Sequence, residues 1–391
     1  MEVAQIYEIV NDLTEEILGE TGLVNEDLSN IVDVGDTFAN VSTAAYENYV
    51  RSLIDHIGRV VFVNRPYAGG APSILRDAWE YGSILEKITA GMPEATENES
   101  WELQNNEVYE QDRFTKPEAS AKFFNKRTTF EIPMSFAEKQ SKSAFSDATQ
   151  LNAFFSMIET QIYNSQTVKT DGLIMRTINN AIGETFADAF PSGTYTGVSS
   201  VRCVNLLYLY NQAHSSAAIY DLGQAISTPE FIRFAAYVMG LYESRMSKIS
   251  TLFNIGGQPR FTPRDRLHFV MLNDFVKAAN VYNQSDTFHE QFTALPNAEV
   301  VPYWQGTGTS YAIDDVSKIN IKTTGGTTVN TSGVLGVMFD RDAMGVSNFN
   351  QRVTTHYNAR AEFFNNWWKT DAGYWNDFNE NVIVFFAADA Q

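Results

Sequence analysis

The sequence "AEFFNNWWKTDAGYWNDFNENVIVFFAAD", residues 361–389, carries nine aromatic side chains. Chain ends are usually polar and frayed, so we expect this large apolar area to be buried against other residues. Its last part, "NVIVFFAA" (381–388), is rich in β-branched and aromatic residues, which predicts a strand. Left unpaired, such a strand promotes aggregation. We therefore predict a paired strand, with the tryptophan-rich part packed either in the core or against another copy of the chain.

Size and composition indicate a folded protein with extensive packing surfaces. The chain has 391 residues, of which 44% are hydrophobic and 19% are charged, both ordinary fractions for a globular protein. Aromatic residues reach 13%, which is high, and large aromatic side chains dominate cores and interfaces. The length predicts two or three domain-sized units.

The charge balance argues against tight binding of nucleic acid. The formal net charge is −19 and the isoelectric point is about 4.7, whereas proteins that grip phosphates show a basic footprint. The single cysteine, Cys203, predicts a buried apolar side chain and allows no disulfide within one chain. The N-terminal part has no basic residue before Arg51, and the longest apolar run (382–388) is too short to span a bilayer. We expect a soluble protein made in the cytoplasm.

Residues 73–142 form a long polar excursion with divided charge. From residue 94 to residue 112 there are seven acidic residues and no basic one, while residues 113–142 contain seven basic and three acidic ones. Long segments of this kind are usually functional or disordered. Opposite charges on its two halves suit pairing, either with each other or with a neighbouring copy.

The middle of the chain shows clear helical and α/β patterns. Residues 146–183 carry an apolar stripe and predict one long helix with a possible bend at Gly172 and an end at Gly183. Residues 228–249 predict a second helix with Pro229 at its first position. Residues 267–281 predict a strand, a tight turn and a helix.

Short strands dominate the rest. Strands are predicted at 60–63, 129–137, 299–304, 333–340, 351–364 and 381–388, with a hairpin around "TTGG" (323–326). An acidic amphipathic helix is predicted near the N-terminus, at 6–18.

A search for catalytic chemistry finds no specific motif. The five histidines form neither HxH nor HExxH, and no nucleophile elbow or phosphate-binding loop is present. We predict no catalytic residue, no cofactor and no metal site. A pair of carboxylates for sugar hydrolysis leaves no local signature, so an acidic glycoside hydrolase, with carboxylates such as those of "DRD" (340–342), stays open as an alternative.

The order of features resembles that of tailed-phage major capsid proteins of the Hong Kong 97 type, and more closely those of short-tailed phages of the phi-twenty-nine kind. The resemblance is carried co-linearly by several segments and not by one strict motif. They are "VRSLIDHIGRVVFV" (50–63), "SILEKITAGMPEA" (83–95), "EVYEQDRFTKPEASAKFFNKRTTFEIP" (107–133), "LNAFFSMIETQIYNS" (151–165), "VMFDRDAMGV" (337–346), "NARAEFFNNWW" (358–368) and "VIVFFAAD" (382–389).

The resemblance implies an α+β, Hong Kong 97-like fold with five segments. They are an N-terminal arm (1–64), an extended loop (65–142), a peripheral domain with the spine helix (143–210), an inserted axial domain (211–332) and the closing strands of the peripheral domain (333–391).

The resemblance also implies a function. Copies would self-assemble into pentamers and hexamers of an icosahedral or prolate shell enclosing double-stranded DNA, contacted weakly, with a separate scaffolding protein, a portal and no membrane. The chain would reside in the virion capsid after synthesis in the bacterial host cytoplasm. An encapsulin-like bacterial compartment is the alternative with the same fold.

Contacts between subunits are expected from the divided charge of the loop and from the aromatic C-terminal segment. The candidates are Glu99, Glu102, Glu107, Glu110, Lys122, Lys126, Arg127, Trp367, Trp368 and Trp375.

Overall fold

The computed structural model describes most of the chain after residue 69. The described residues are 70–76, 85–97, 105–106, 112, 114–137, 148–285, 298–304 and 312–388, together with Tyr7, Asn11, Glu15 and Asn25. The predicted strand at 60–63 lies outside them. Of the predicted N-terminal helix, only Tyr7, Asn11 and Glu15 are described, and all three are helical.

The described chain contains a run of strands, a mixed middle part and a second run of strands. In order, the helices and strands are β1 (Leu75–Arg76), β2 (Leu85–Ala90), β3 (Ala119–Phe124), β4 (Arg127–Ala137), α1 (Ala148–Ala189), β5 (Cys203–Asn205), α2 (Leu206–Ala213), α3 (Leu222–Ile226), α4 (Pro229–Met246), β6 (Leu267–Leu272), α5 (Asn273–Ser285), β7 (Glu299–Val301), α6 (Ile313–Val316), β8 (Ile319–Lys322), β9 (Thr328–Thr331), β10 (Val334–Asp340), β11 (Met344–Asn358), β12 (Phe363–Asn376) and β13 (Val382–Phe386). The predicted α+β class is confirmed.

The longest element is α1, with 42 residues and a length of roughly 60 Å. The predicted spine helix is confirmed, and it continues without a break through Gly172. The predicted end at Gly183 is wrong, because the helix runs on to Ala189. A Cβ at position 183 would lie 2.2 Å from Cδ1 of Ile321. Glycine is therefore present there because β8 packs closely against the helix, and not because the helix ends.

A five-stranded sheet forms the centre of the molecule, in the order β5-β13-β10-β6-β7. Strand β13 pairs with β10 and β5 and is buried along its whole length. The predicted pairing of the C-terminal strand is confirmed. Phe386 contacts Phe186 of α1 on one face, and Phe385 contacts Tyr242 of α4 on the other. The sheet is thus a middle layer between two helical layers.

A second sheet has the order β1-β11-β12-β4 and lies against α1. The predicted continuous strand 351–364 is wrong, because this part of the chain forms two antiparallel strands, β11 and β12, joined by a turn. The chain turns between Asn358 and Phe363, where Glu362 has φ 51° and the Asn358 side chain accepts the backbone N–H groups of Arg360 and Ala361. That side-chain capping of a tight turn interrupts the strand pattern.

The two sheets share the C-terminal part of the chain. The five-stranded sheet takes β5 from the predicted peripheral segment 143–210, β6 and β7 from 211–332, and β10 and β13 from 333–391. Of the closing strands, β10 therefore pairs with β6 of the inserted segment and β13 pairs with β5 of the peripheral segment, while β11 and β12 belong to the other sheet. The five segment boundaries themselves stay a prediction.

Other sequence predictions are confirmed locally. Helix α4 begins at Pro229, and its apolar stripe is buried. Helix α5 follows β6 directly at Asn273. Strands β8 and β9 form the hairpin around "TTGG", where Gly326 has φ 86°. Cys203 is buried, and burial raises the pKa of its thiol.

Gly333, which precedes β10, provides a test of this packing. It has φ 77°, and a Cβ there would lie 2.1 Å from the carbonyl oxygen of Ala387. Gly326 has similar backbone geometry, but among the described residues no atom beyond its two chain neighbours lies within 4 Å of its Cβ position. Both Gly→Ala variants therefore carry left-handed strain, and only Gly333→Ala carries a clash. We expect Gly333→Ala to lower the free energy of unfolding by about 1–3 kcal/mol more than Gly326→Ala, measured by urea denaturation of the unassembled subunit. Equal losses would contradict this packing.

Candidate functional site

The hairpin β2–β3 is a separate two-stranded sheet within the predicted extended loop. Its ladder runs from Leu85↔Phe124 to Ala90↔Ala119 and continues with a hydrogen bond from Gly91 N–H to Glu118 O. Large apolar side chains on and beside it are exposed, among them those of Ile88 (68%), Phe114 (85%) and Phe123 (63%). An isolated two-stranded hairpin is marginally stable in water, so its base needs an anchor.

That anchor is a carboxylate, the side chain of Asp377. Lys122 Nζ donates to Asp377 Oδ1 at 2.8 Å, and Lys87 Nζ donates to Asp377 Oδ2, also at 2.8 Å. The two lysines are directly opposite each other in the hairpin, where like charges repel. The Asp377 side chain is only 2% exposed and binds both lysines. Its negative charge therefore offsets the repulsion between the two lysines and attaches the hairpin to the body of the subunit.

Glu380 extends the anchor. It accepts a hydrogen bond from Lys87 at 2.6 Å and lies 3.5 Å from Nε of Arg260. We call Lys87, Lys122, Asp377, Glu380 and Arg260 the hairpin anchor. It joins the hairpin to the turn between β12 and β13, which is also the turn between the two sheets.

Backbone hydrogen bonds fix this turn in place. Asp377 N–H donates to Ala343 O at 2.6 Å, and Asn379 N–H donates back to the Asp377 carboxylate at 3.1 Å. The next residues are held by Asn381, whose carbonyl accepts Asp340 N–H at 2.9 Å. These bonds hold the backbone of the turn that carries both anchoring carboxylates.

The protonation equilibria reflect the pairing. Burial is the largest single influence and works to raise the pKa of Asp377, but hydrogen bonds from Lys122 and Lys87 help to hold that pKa below its ordinary value. Burial works to lower the pKa of Lys87, but hydrogen bonds to Asp377 and Glu380 help to raise it above its ordinary value. Both shifts favour the charged forms, as a formed ion pair requires.

A groove lies at the base of the same hairpin. It has a volume of about 400 Å³ and is bounded by the end of β3, by α1, by the β8–β9 hairpin and by the end of β12. Three exposed cations line it: Lys126, Arg176 and Lys322. Within the described part of the chain, none of the three forms an ion pair. Glu184, the only acidic side chain among the described residues of the lining, accepts the backbone N–H of Thr324. We call this the basal groove.

The structure separates the three predicted basic contact residues. Lys122 belongs to the hairpin anchor, and Lys126 lines the basal groove. Arg127 begins β4 and is exposed. Burial works to raise the pKa of Asp371, but hydrogen bonds from Arg352 and Thr129 lower it, and the charge of Arg127 contributes a smaller lowering. The predicted acidic contacts Glu99, Glu102, Glu107 and Glu110 lie outside the described residues. A role between subunits stays a prediction for all seven.

The three tryptophans of β12 differ in exposure. Trp367 is half-buried on the polar face, while Trp368 and Trp375 are 1% and 4% exposed. The Trp375 ring packs over Gly345 of β11, where a Cβ would lie 2.3 Å from it. Little of either buried ring is available to a neighbour, so Trp367 offers the largest exposed area of the three. Contacts of these residues with another copy also stay a prediction.

Sequence reasoning missed Lys87, Asp377 and Glu380, and it missed Arg176 and Lys322 in the groove. Asp377 and Glu380 stand in a polar interruption, "NDFNEN" (376–381), between two apolar strands. That pattern indicates a turn but not its partner, because Lys87 lies 290 residues earlier in the chain.

Neither a metal centre nor a membrane span emerges from the described residues. They contain no cluster of three or more His, Cys, Asp or Glu side chains placed to hold an ion. Among the described helices, none is long and apolar enough to cross a bilayer.

Comparison with protein families gives a match over nearly the whole chain. The family model described as "Phi29-like phage major capsid protein" matches residues 7–386. The chain belongs to this family. It is therefore a structural protein of a tailed-phage head, and the capsid protein acts as one of many copies in a shell. The predicted family resemblance and function are confirmed.

Solved phage structures show partial likeness to this capsid protein. A chain of the Staphylococcus phage Andhra capsid is 10% identical over 82% of this chain and 84% of that one, with a TM-score of 0.48. A chain of the native bacteriophage P68 structure is 10% identical over 82% and 85%, also with a TM-score of 0.48. A chain of the mature PhiM1 capsid is 7% identical over 83% and 87%, with a TM-score of 0.41. No curated protein sequence matches.

The hairpin anchor gives a prediction with a matched control on the same stretch of chain. Asp377→Asn removes the charge that binds two lysines in a buried position, whereas Asp371→Asn breaks a more exposed pair with Arg352. We expect Asp377→Asn to lower the free energy of unfolding by about 1.5–3 kcal/mol and Asp371→Asn by about 0.2–1 kcal/mol. Hydrogen exchange should accelerate in β2 and β3 only for Asp377→Asn. Unchanged exchange there would contradict the anchor.

The same variant predicts a pH dependence. The lowered pKa of Asp377 gives a stabilisation that is present above about pH 3.9, its ordinary pKa, and is lost as the pH falls through the lowered value. The raised pKa of Lys87 gives a stabilisation that is present below about pH 10.4 and is lost at higher pH. The difference in unfolding free energy between the wild type and Asp377→Asn should be largest near neutral pH and shrink at both extremes. A difference independent of pH would contradict this assignment.

Proposed function

We propose that the capsid protein assembles through its loop hairpin into pentamers and hexamers of a closed icosahedral or prolate shell around double-stranded DNA. The observation that carries the proposal is the hairpin anchor. It fixes the base of β2–β3 to the body through Asp377 while the apolar side chains of Ile88, Phe114 and Phe123 stay exposed. Exposed apolar groups on a firmly held extension suit contact with a second subunit.

The geometry of such a contact favours rings and shells. A hairpin that projects from one side of a subunit meets a different surface on its neighbour, which makes the contact heterologous. Heterologous contacts close into rings when the rotation between subunits permits it, and pentamers and hexamers are rings of this type.

The charge of the chain supports weak contact with packaged DNA. A net charge of −19 disfavours close approach of phosphates, because binding to duplex DNA depends on neutralisation by Lys and Arg. A container that must later release its cargo benefits from that weakness. We further propose a separate scaffolding protein and a portal as partners, and synthesis in the bacterial host cytoplasm before incorporation into the virion.

We propose no catalytic role. The carboxylates of "DRD" (340–342) have structural partners: Asp340 accepts a hydrogen bond from Thr262 at 2.8 Å and is 4% exposed, and Asp342 lies 3.0 Å from Arg266. This pairing gives the glycoside-hydrolase alternative no support. The phage capsid family match favours a virion shell over an encapsulin-like compartment.

Electron microscopy of the purified full chain tests the proposal. We expect rings, tubes or closed shells, alone or after co-expression with a candidate scaffolding protein from the same phage. Size-exclusion chromatography of the same samples gives the fraction assembled. A protein that is monomeric under all of these conditions would contradict it.

A triple variant tests the basic side of the loop. We expect Lys122→Ala, Lys126→Ala and Arg127→Ala together to reduce the assembled fraction about tenfold, equivalent to roughly 1.4 kcal/mol, while the subunit stays folded by circular dichroism. Three exposed lysines outside the hairpin and the basal groove, Lys248, Lys277 and Lys318, provide a control with the same change in charge. Assembly equal to that of the control would contradict a role for this side of the loop.

A further inference from the structure

We propose that His268 and Glu299 form an acid-strengthened latch, which holds the root of the predicted extended loop against the edge of the five-stranded sheet. The root is the segment 70–76, which ends in β1 and precedes the hairpin β2–β3. The latch is a feature of the single subunit. It therefore goes beyond the proposed shell assembly and can be tested without it.

Glu299 holds the root directly. It is the first residue of β7, an edge strand of the five-stranded sheet, and its carboxylate accepts two hydrogen bonds from Ser73. The backbone N–H of Ser73 donates to Oε2 at 2.7 Å, and the Ser73 hydroxyl donates to Oε1. Hydrogen bonds of this kind are strongest while the carboxylate is charged, so the charge state of Glu299 governs the attachment.

The attachment lies where the root enters the fold. Next to Ser73, Ile74 is buried in the core, and its carbonyl accepts the backbone N–H of Val346 in β11 at 3.1 Å. At the start of the root, the backbone N–H of Gly70 donates to Asp171 of α1 at 3.1 Å. The root therefore contacts α1 and both sheets, and the carboxylate on β7 supplies its contact with the edge strand.

His268 lies close enough to act on that carboxylate. It stands in β6 two residues before Val270, which is the register partner of Glu299, so both side chains lie on one face of the sheet. Its Nε2 atom is 3.1 Å from Oε2 of Glu299, and its ring stacks on Phe339 of β10 with 5.1 Å between the ring centroids. Among the described residues, Glu299 is the one acidic group that pairs with His268.

The geometry of this contact makes it depend on charge. Nε2 of His268 is shielded from solvent, and although it is close to the carboxylate, the pair does not have hydrogen-bond geometry. The attraction therefore comes chiefly from opposite charges, and a neutral imidazole contributes little of it. Histidine side chains in general gain their charge between about pH 8 and pH 5, so mild acid adds an attraction that is absent in mild alkali.

The charged groups on the neighbouring elements have other partners. Arg266, two residues before the histidine, lies 3.0 Å from Asp342, and Asp340 of β10 accepts a hydrogen bond from Thr262 at 2.8 Å. Asp171 of α1 accepts from the other end of the root, and the side chains of residues 70–75 carry no charge. Carboxylates stay charged in mild acid, so the histidine is the group that changes charge at this contact between pH 5 and pH 8.

The carboxylate sets the lower limit of the latch. Burial works to raise the pKa of Glu299, but hydrogen bonds from Ser73 and the charge of His268 hold that pKa below its ordinary value. The stabilisation by this carboxylate is present above about pH 4.3, the ordinary pKa of a glutamate, and it is lost as the pH falls through the lowered value. The latch is therefore strongest at about pH 5–6.

Hydrogen exchange at two pH values tests the latch in the unassembled full chain. We expect peptides covering residues 70–76 to be about two- to fivefold more protected at about pH 5.5 than at about pH 8, a modest gain because the Glu299 side chain is 38% exposed. Each rate is divided by the intrinsic exchange rate at the same pH, and peptides from the buried strand β13 provide the reference. Equal protection of the root at both pH values, relative to that reference, would overturn the latch and leave the proposed shell function standing.

Three variants separate the latch from a general response to acid. We expect His268→Gln and Glu299→Gln each to abolish the difference in root protection between the two pH values. His356→Gln, the same change at an exposed histidine of β11, should keep the wild-type difference. A difference that survives His268→Gln, or one that His356→Gln removes as well, would overturn the latch. If a variant does not fold, as judged by circular dichroism, the wild-type comparison decides.

Discussion

The bridge from the Asp377 carboxylate to Lys87 and Lys122 is the interaction on which the orientation of the loop depends. It is nearly excluded from solvent on the carboxylate side, and it binds two opposed lysines that would otherwise repel. Its position matters as much as its strength, because Asp377 lies in the turn from β12 to β13, where the two sheets meet. A displacement of that turn would change the direction of the hairpin and shift the core at the same time. We infer that the body of the subunit sets the direction in which the hairpin projects.

The rest of the fold serves to make this junction rigid. Helix α1 contacts both sheets, and β13 is buried between α1 and α4. The strands β11 and β12 of the four-stranded sheet lead directly into the turn that carries Asp377. The aromatic side chains near the C-terminal end are mostly core: Phe385, Phe386, Trp368 and Trp375 are all at most 4% exposed. The apolar area that the sequence concentrates there is covered chiefly by the chain itself.

The types of the main helices and strands could be predicted from the sequence, because they follow from local residue patterns. The alternation of 129–137, the apolar stripes of α1 and α4 and the β-branched run of β13 each reflect burial of one face or of both, so the element types follow from them. The helix end predicted at Gly183 was wrong because the sequence does not distinguish a glycine at a helix end from a glycine under a packed side chain. The hairpin anchor and the basal groove could not be predicted, since both depend on contacts such as that of Lys87 with Asp377 between residues hundreds of positions apart.

In the assembled shell, we expect the anchored hairpin of one subunit to contact the body of the next. A cryo-electron microscopy map of the assembled shell, at a resolution that traces the hairpin, would show whether this contact exists. We expect β2–β3 to be held at its base by Asp377 of the same chain, with exposed apolar side chains such as Ile88 and Phe123 against a neighbouring subunit. A map in which the hairpin contacts only its own subunit, or in which it is detached from Asp377, would show that this contact does not build the shell.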